Sequence, residues 1–155
     1  MYTCIKLSPI SGALLKWIVR GTLRLEDAGF VFVTDNGDPL PHHMTINLGG
    51  FDKTLNDELV LGRIARLTVR EIVADMELGV CAATVIQPEA LIPTDMSHRP
   101  LPITSKNKVP HITLCLKPGS KPKWSNDLLE KPSPHIIRLT LDEPYVLGGT
   151  VEEVH

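Results

Sequence analysis

The sequence is poor in the features that announce many common function classes. Its three cysteines, Cys4, Cys81 and Cys115, are far apart and include no C-x-x-C pair, so neither a disulfide framework nor a zinc site is encoded. Each lies among apolar or β-branched neighbours, where a buried free thiol is the expected outcome. Basic charge is not in excess. With 16 Lys and Arg against 18 Asp and Glu, and a pI near 6.3, the chain is not one that coats long double-stranded nucleic acid by bulk charge. No apolar run approaches the roughly 18–20 residues of a membrane span. The opening MYTCIKLSP lacks the basic, apolar and small-residue order of a secretory signal, so a cytoplasmic, reducing location away from membranes is expected. What remains is 155 residues, 43% apolar and 22% charged, enough to bury one core and too few for two. One domain over 1–155 is expected.

Strand signals dominate the chain. Tyr2–Ser8 alternates as an opening strand. Ser11 reads as an N-cap for a short helix with Leu14, Leu15, Ile18 and Val19 on its apolar face, Trp17 beside them in the core, and Gly21 as the stop. Gly29–Thr34 is a strand and Asp35–Asp38 a turn. Pro41–Leu48, Arg63–Ala74 and Glu77–Ile86 follow as strands, the last two joined near Asp75. Between Gln87 and Val109, Pro88, Pro93, Pro100 and Pro102 argue against regular ladder pairing and for a lid or a disordered connection. Pro110–Leu116 resumes the strands, Ser125–Leu129 is a short helical piece, and His135–Leu141 and Tyr145–Val151 close the chain. One or two helices among so many strands mean an α+β, mainly antiparallel fold.

One pattern occurs twice. Pro-His-His-Met-Thr-Ile at 41–46 and Pro-His-Ile-Thr-Leu at 110–114 each carry His-Xaa-Thr within an apolar strand. Composition alone yields such a triplet about half the time, so one copy means little and two on proline-initiated strands mean much more. Because side chains alternate across a strand, His43 and Thr45 share one face while Met44 and Ile46 share the other. The same holds for His111 and Thr113 against Ile112 and Leu114. Each strand buries an aliphatic face and offers an imidazole beside a hydroxyl on the opposite one. His42, adjacent to His43, points to the wrong side.

Phosphodiester cleavage is the chemistry that uses two such pairs. A neutral imidazole accepts a proton from the attacking oxygen, and a protonated one donates to the leaving oxygen. Histidine populates both forms near neutral pH. The two threonine hydroxyls can donate to non-bridging phosphate oxygens. A metal pair is disfavoured, since threonine is a poor ligand and no carboxylate lies at strand spacing beside either histidine. No metal or cofactor is expected.

On these residues the sequence resembles the 2H phosphoesterases, named for two H-x-T/S motifs. After His111 it continues Lys117-Pro-Gly-Ser-Lys-Pro-Lys-Trp-Ser-Asn126, which resembles the G-x-K-P-x-x-S-N tail of small bacterial members and of the phosphodiesterase part of fungal tRNA ligases. In length and motif spacing it is also similar to the compact phage anti-CBASS nucleases. The resemblance implies two pseudo-symmetric lobes of antiparallel strands with few helices around a central cleft. It also implies His43, Thr45, His111 and Thr113 as catalytic residues, and Lys121, Ser125 and Asn126 at the substrate.

Trp124, inside the lysine-rich turn, either stacks on a nucleobase or caps the core edge, the commoner fate, and joins the binding candidates. From Met96 through Asn126 there is no Asp or Glu, while Arg99, Lys106, Lys108, Lys117, Lys121 and Lys123 fall inside, a local positive rim near His111. The expected activity is metal-independent hydrolysis of a nucleotide or RNA phosphodiester, foremost a 2′,3′-cyclic phosphate. A nuclease for cyclic oligonucleotide signals and a non-catalytic RNA- or nucleotide-binding module are the alternatives.

Overall fold

A computed structural model describes residues 1–33, 43–131 and 133–155. The Asp35–Asp38 turn and His42 lie outside the described residues. The strands are β1 (Tyr2–Leu7), β2 (Val31–Phe32), β3 (His43–Leu48), β4 (Ile64–Asp75), β5 (Val80–Pro93), β6 (His98–Pro102), β7 (His111–Leu116) and β8 (Ile136–Val154). Two α-helices accompany them, α1 (Pro9–Thr22) and α2 (Trp124–Glu130). All pairings are antiparallel, in the order β2-β7-β3-β1-β8-β4-β5-β6, and β7 also pairs with β5. That extra pairing returns the sheet to its own start, so the strands from β7 through β5 form a closed circuit.

The two longest strands, β4 and β8, run through both halves of the circuit. In the first lobe, residues 64–69 of β4 pair with 145–150 of β8, and β1 and β3 lie alongside. In the second lobe, residues 71–75 of β4 pair with 136–140 of β8, and β5, β7 and β2 complete the sheet. Residues 141–144 stand out of the ladder where Val69 pairs with Tyr145 and Glu71 already pairs with Thr140. The two closing strands read from the sequence are therefore one strand with a bulge at Pro144. Helix α1 packs on β1 and β8, and α2 on β5 and β4, one helix per lobe.

Burial follows the sequence pattern closely in β4. Ala65, Leu67 and Val69 point inward while Ile64, Arg66 and Arg70 are exposed, the period-two pattern of a sheet with one wet face. From Ile72 to Asp75 every residue is buried, because α2 covers the second face there and Val73 meets Leu128. The turn after β4 is fixed by the Asp75 carboxylate, which accepts N–H bonds from Glu77 at 2.9 Å and Leu78 at 3.0 Å.

Three expectations are corrected. The cap of α1 is Ser8, whose hydroxyl accepts the Ser11 N–H at 3.2 Å; Ser11 lies one turn inside and its own hydroxyl accepts the Gly148 N–H of β8 at 2.8 Å. Trp17 is not a core residue, being 71% exposed on the outer face of that helix. The proline-rich segment is also not unpaired. Its residues 89–93 and 98–102 form a hairpin arm, β5 with β6. Residues 99, 101 and 103 turn their N–H groups inward, Ile103 bonding the Pro88 carbonyl at 2.8 Å, so Pro100 and Pro102 fall on the open side of an edge strand and sacrifice no ladder bond. Pro88 sits where the β4–β5 register shifts, next to Gln87 with φ 50°.

Candidate active site

The motif strands β3 and β7 meet at one pair, Met44 opposite Ile112, both fully buried. Continuing that register by one residue each way sets His43 across from Thr113 and Thr45 across from His111. Each imidazole thus faces the hydroxyl of the other motif, and the period-two alternation puts all four on the side away from the Met44–Ile112 contact. All four line one cavity of about 760 Å³, a size suited to a nucleotide rather than to an ion.

The walls come from both lobes. Tyr2 and Leu48 belong to the first, and Val31, Phe32, Leu116, Pro118 and Pro122 to the second. Leu48 is 83% exposed and Val31 58%, giving the cavity apolar lips on either side. The Tyr2 ring lies 5.0 Å from the His43 ring, tilted by 34°. Asn107 and Asn126 also reach the cavity, as do Lys117 and Lys123. Lys117 is held by the Met76 carbonyl at 2.6 Å and lies over the Phe30 ring.

The two histidines differ in surroundings. His111 is buried, and its Nδ1–H donates to the Val109 carbonyl at 2.8 Å. A carbonyl can only accept, so the proton is fixed on Nδ1 and the neutral ring keeps its lone pair on Nε2. Burial pushes the His111 pKa below the ordinary 6.5, against the weaker opposing pull of that carbonyl and of Glu130. His43 is only half-buried.

Of the residues expected at the substrate, Asn126 alone lines the cavity. Ser125 is fully buried and bonds Thr113 from behind, Oγ to Oγ1 at 2.8 Å. Lys121 is exposed and outside the cavity lining; its carbonyl accepts the Trp124 N–H at 3.0 Å and so shapes the turn. Lys117 and Lys123 stand where Lys121 was expected. Trp124 packs against the cluster of Val73, Val80, Ala82 and Leu128, the core-edge position, and does not line the cavity. Tyr2, Phe32 and Asn107 carried no signal of their own in the sequence, since only the pairing of β1, β2 and β7 brings them to the motifs. His98 is exposed on the hairpin arm and His135 bonds Glu77 at 2.6 Å, both outside the cavity lining.

The sequence model of the fungal tRNA ligase phosphodiesterase domain matches residues 50–154. The chain belongs to that family. It is a 2H phosphoesterase, and with it a phosphoric diester hydrolase. The matched span contains His111, Thr113 and the tail through Asn126, and it begins beyond His43 and Thr45. Among solved structures, the chain is similar to one described as a fungal RNA kinase, at 16% identity and a TM-score of 0.63. The alignment covers 97% of this chain and 44% of that one, so the phosphodiesterase domain spans less than half the length of the chain it matches. At that identity the likeness speaks for the fold, including the first-lobe strands outside the family match. No curated protein matches the chain. No helix among the described residues is long and apolar enough to cross a membrane.

Proposed function

We propose that this domain opens a 2′,3′-cyclic phosphate at an RNA end, or on a nucleotide, by acid–base catalysis shared between His43 and His111. The observation that carries the reading is the Met44–Ile112 pair, which sets the two His-Xaa-Thr motifs against each other on one cavity. Family membership and the likeness to a fungal RNA kinase support an RNA substrate.

In this reading a water attacks the cyclic phosphorus while His111 Nε2 takes its proton. His43, protonated, gives a proton to the ribose oxygen as its bond to phosphorus breaks, leaving a phosphomonoester and a free hydroxyl. The Nδ1 hydrogen bond leaves Nε2 as the reactive nitrogen of His111, and burial, which favours the neutral ring, supports His111 in the role of base. Thr45 and Thr113 donate to the non-bridging oxygens, where charge accumulates in the transition state. Lys117 and Lys123 add positive potential to a site on a mildly acidic protein.

The test is product analysis in EDTA with wild type and His111→Ala. Substrates are 2′,3′-cyclic nucleotides, an RNA ending in a 2′,3′-cyclic phosphate, and cyclic di- and trinucleotides. Opening of the 2′,3′ ring by wild type alone is expected. Cleavage confined to the cyclic oligonucleotides would replace this reading with that of a signal-degrading nuclease, and binding without turnover with that of a recognition module.

The pH dependence follows from His111. Its pKa lies below 6.5, so kcat/KM is expected to hold down to that pH and then fall as the ring becomes protonated. The proton donor supplies the opposite limb, giving a bell. Stability carries the same sign: the unfolded chain takes up the His111 proton first, so unfolding free energy falls as pH drops from about 6.5 through the lower folded pKa, and levels off beneath it. In His111→Gln this stability loss is expected to shrink.

A further inference from the structure

We infer that Ser125 is a positioning residue that orients the Thr113 hydroxyl toward the phosphate. The inference rests on the reading above, in which Thr113 donates to a non-bridging oxygen. Ser125 has no exposure to the cavity, so it touches no substrate. Its Oγ lies 2.8 Å from Thr113 Oγ1, and this is the one hydrogen bond of either hydroxyl among the described residues.

Each hydroxyl has a single proton. If Thr113 gave its own to Ser125, it would present only lone pairs to the cavity and repel an anionic phosphate. If Ser125 donates to Thr113, the Thr113 proton is turned outward, and accepting one bond makes it a better donor. A phosphate in the cavity selects the second arrangement. The serine is held for this purpose by its surroundings. Its N–H bonds the Pro122 carbonyl at 3.0 Å, and its helix neighbours Trp124 and Leu128 are packed against Val73, Val80 and Ala82.

Among the described residues the first motif has no such device. The Thr45 hydroxyl has no partner among the described residues, and Ser105 donates at 2.9 Å to the Thr45 main-chain carbonyl instead. The two halves of the site are therefore unequal: one phosphate donor has a fixed hydroxyl partner that can turn its proton outward, and the other has none among the described residues. Without Ser125, Thr113 would rotate as freely as Thr45, and the transition state would then have to order it.

The experiment is a double-mutant cycle on a 2′,3′-cyclic nucleotide with Ser125→Ala, Thr113→Val and the pair. Ser125→Ala is expected to lower kcat about tenfold with KM and the shape of the pH profile little changed, and Thr113→Val about a hundredfold. In the Thr113→Val background, Ser125→Ala should cost nothing further in kcat. Ser125→Cys, of similar size and a weaker donor, should fall between serine and alanine and guards against misfolding. Losses that multiply in the double variant, or a Ser125→Ala protein that loses thermal stability and keeps its kcat, would overturn the inference. Absence of turnover in wild type on every substrate would instead sink the functional reading beneath it.

Discussion

His43→Ala and His111→Ala are each expected to lower kcat by roughly 10²–10⁴-fold, the range for removal of a positioned proton carrier. Affinity for the phosphomonoester product should change only a few-fold, because the threonine hydroxyls and the lysines at the rim remain. The double variant should be little slower than the worse single one. Acid and base act in one transition state, and once either is gone the other has no concerted partner. Single-turnover rates and product titrations on the four proteins measure this directly. If the two losses multiplied, the histidines would be contributing independently of each other, and the shared cleavage drawn above would have to be abandoned. Their opposed placement makes the unit: β3 and β7 touch at Met44 and Ile112, and each histidine flanks that contact from its own lobe.

Gly149→Ala is expected to destabilise the protein by about 3 kcal/mol, at the upper end for an overpacked core site. Gly149 pairs with Leu7 of β1 and Ala65 of β4 in the middle of the sheet. A Cβ there would collide with the Lys6 carbonyl oxygen and lie 3.0 Å from its carbon, both backbone atoms that cannot rotate away. Neighbouring Gly148 is the internal control. Its added Cβ would meet only the Ser11 Oγ at 3.9 Å, so Gly148→Ala should stay within about 1 kcal/mol of wild type. Urea midpoints of the two variants make the comparison, and equal midpoints would contradict it. The effect also reaches the site, because Lys6 is the cross-strand neighbour of His43. Whatever fraction of Gly149→Ala folds is expected to turn over more slowly.

Much of this arrangement was legible from residue order alone. Period two put His43 with Thr45 and His111 with Thr113. The β4–β5 hairpin was legible from two runs rich in Val, Ile, Thr and Ala joined near Asp75, although residues 77–79, read as strand, belong to the turn that Asp75 caps. Other features depend on neighbours distant in sequence. Ser8 and Ser11 are both good caps, and only the Gly148 N–H, bonded to Ser11, separates their roles. Trp17 sits beside an apolar helical face, yet none of the described residues buries it. The prolines of the hairpin arm forbid a central strand, and the structure gives them an edge. Ser125 reads as a substrate contact in the linear motif and turns out to stand behind Thr113, a depth that spacing does not carry. The cavity walls at Tyr2 and Phe32 arise from β1 and β2 being laid beside the motif strands.

The site looks like two halves that could have been separate proteins, and the continuous strands β4 and β8 make that division impossible. Each donates one end to either lobe, so neither lobe owns a complete sheet and a cut between them would sever both. The lobes must therefore gain and lose structure together, as one cooperative body whose pairings join distant parts of the chain. A histidine on one side holds its place opposite the other through a shared frame, so damage far out in either lobe is felt by both.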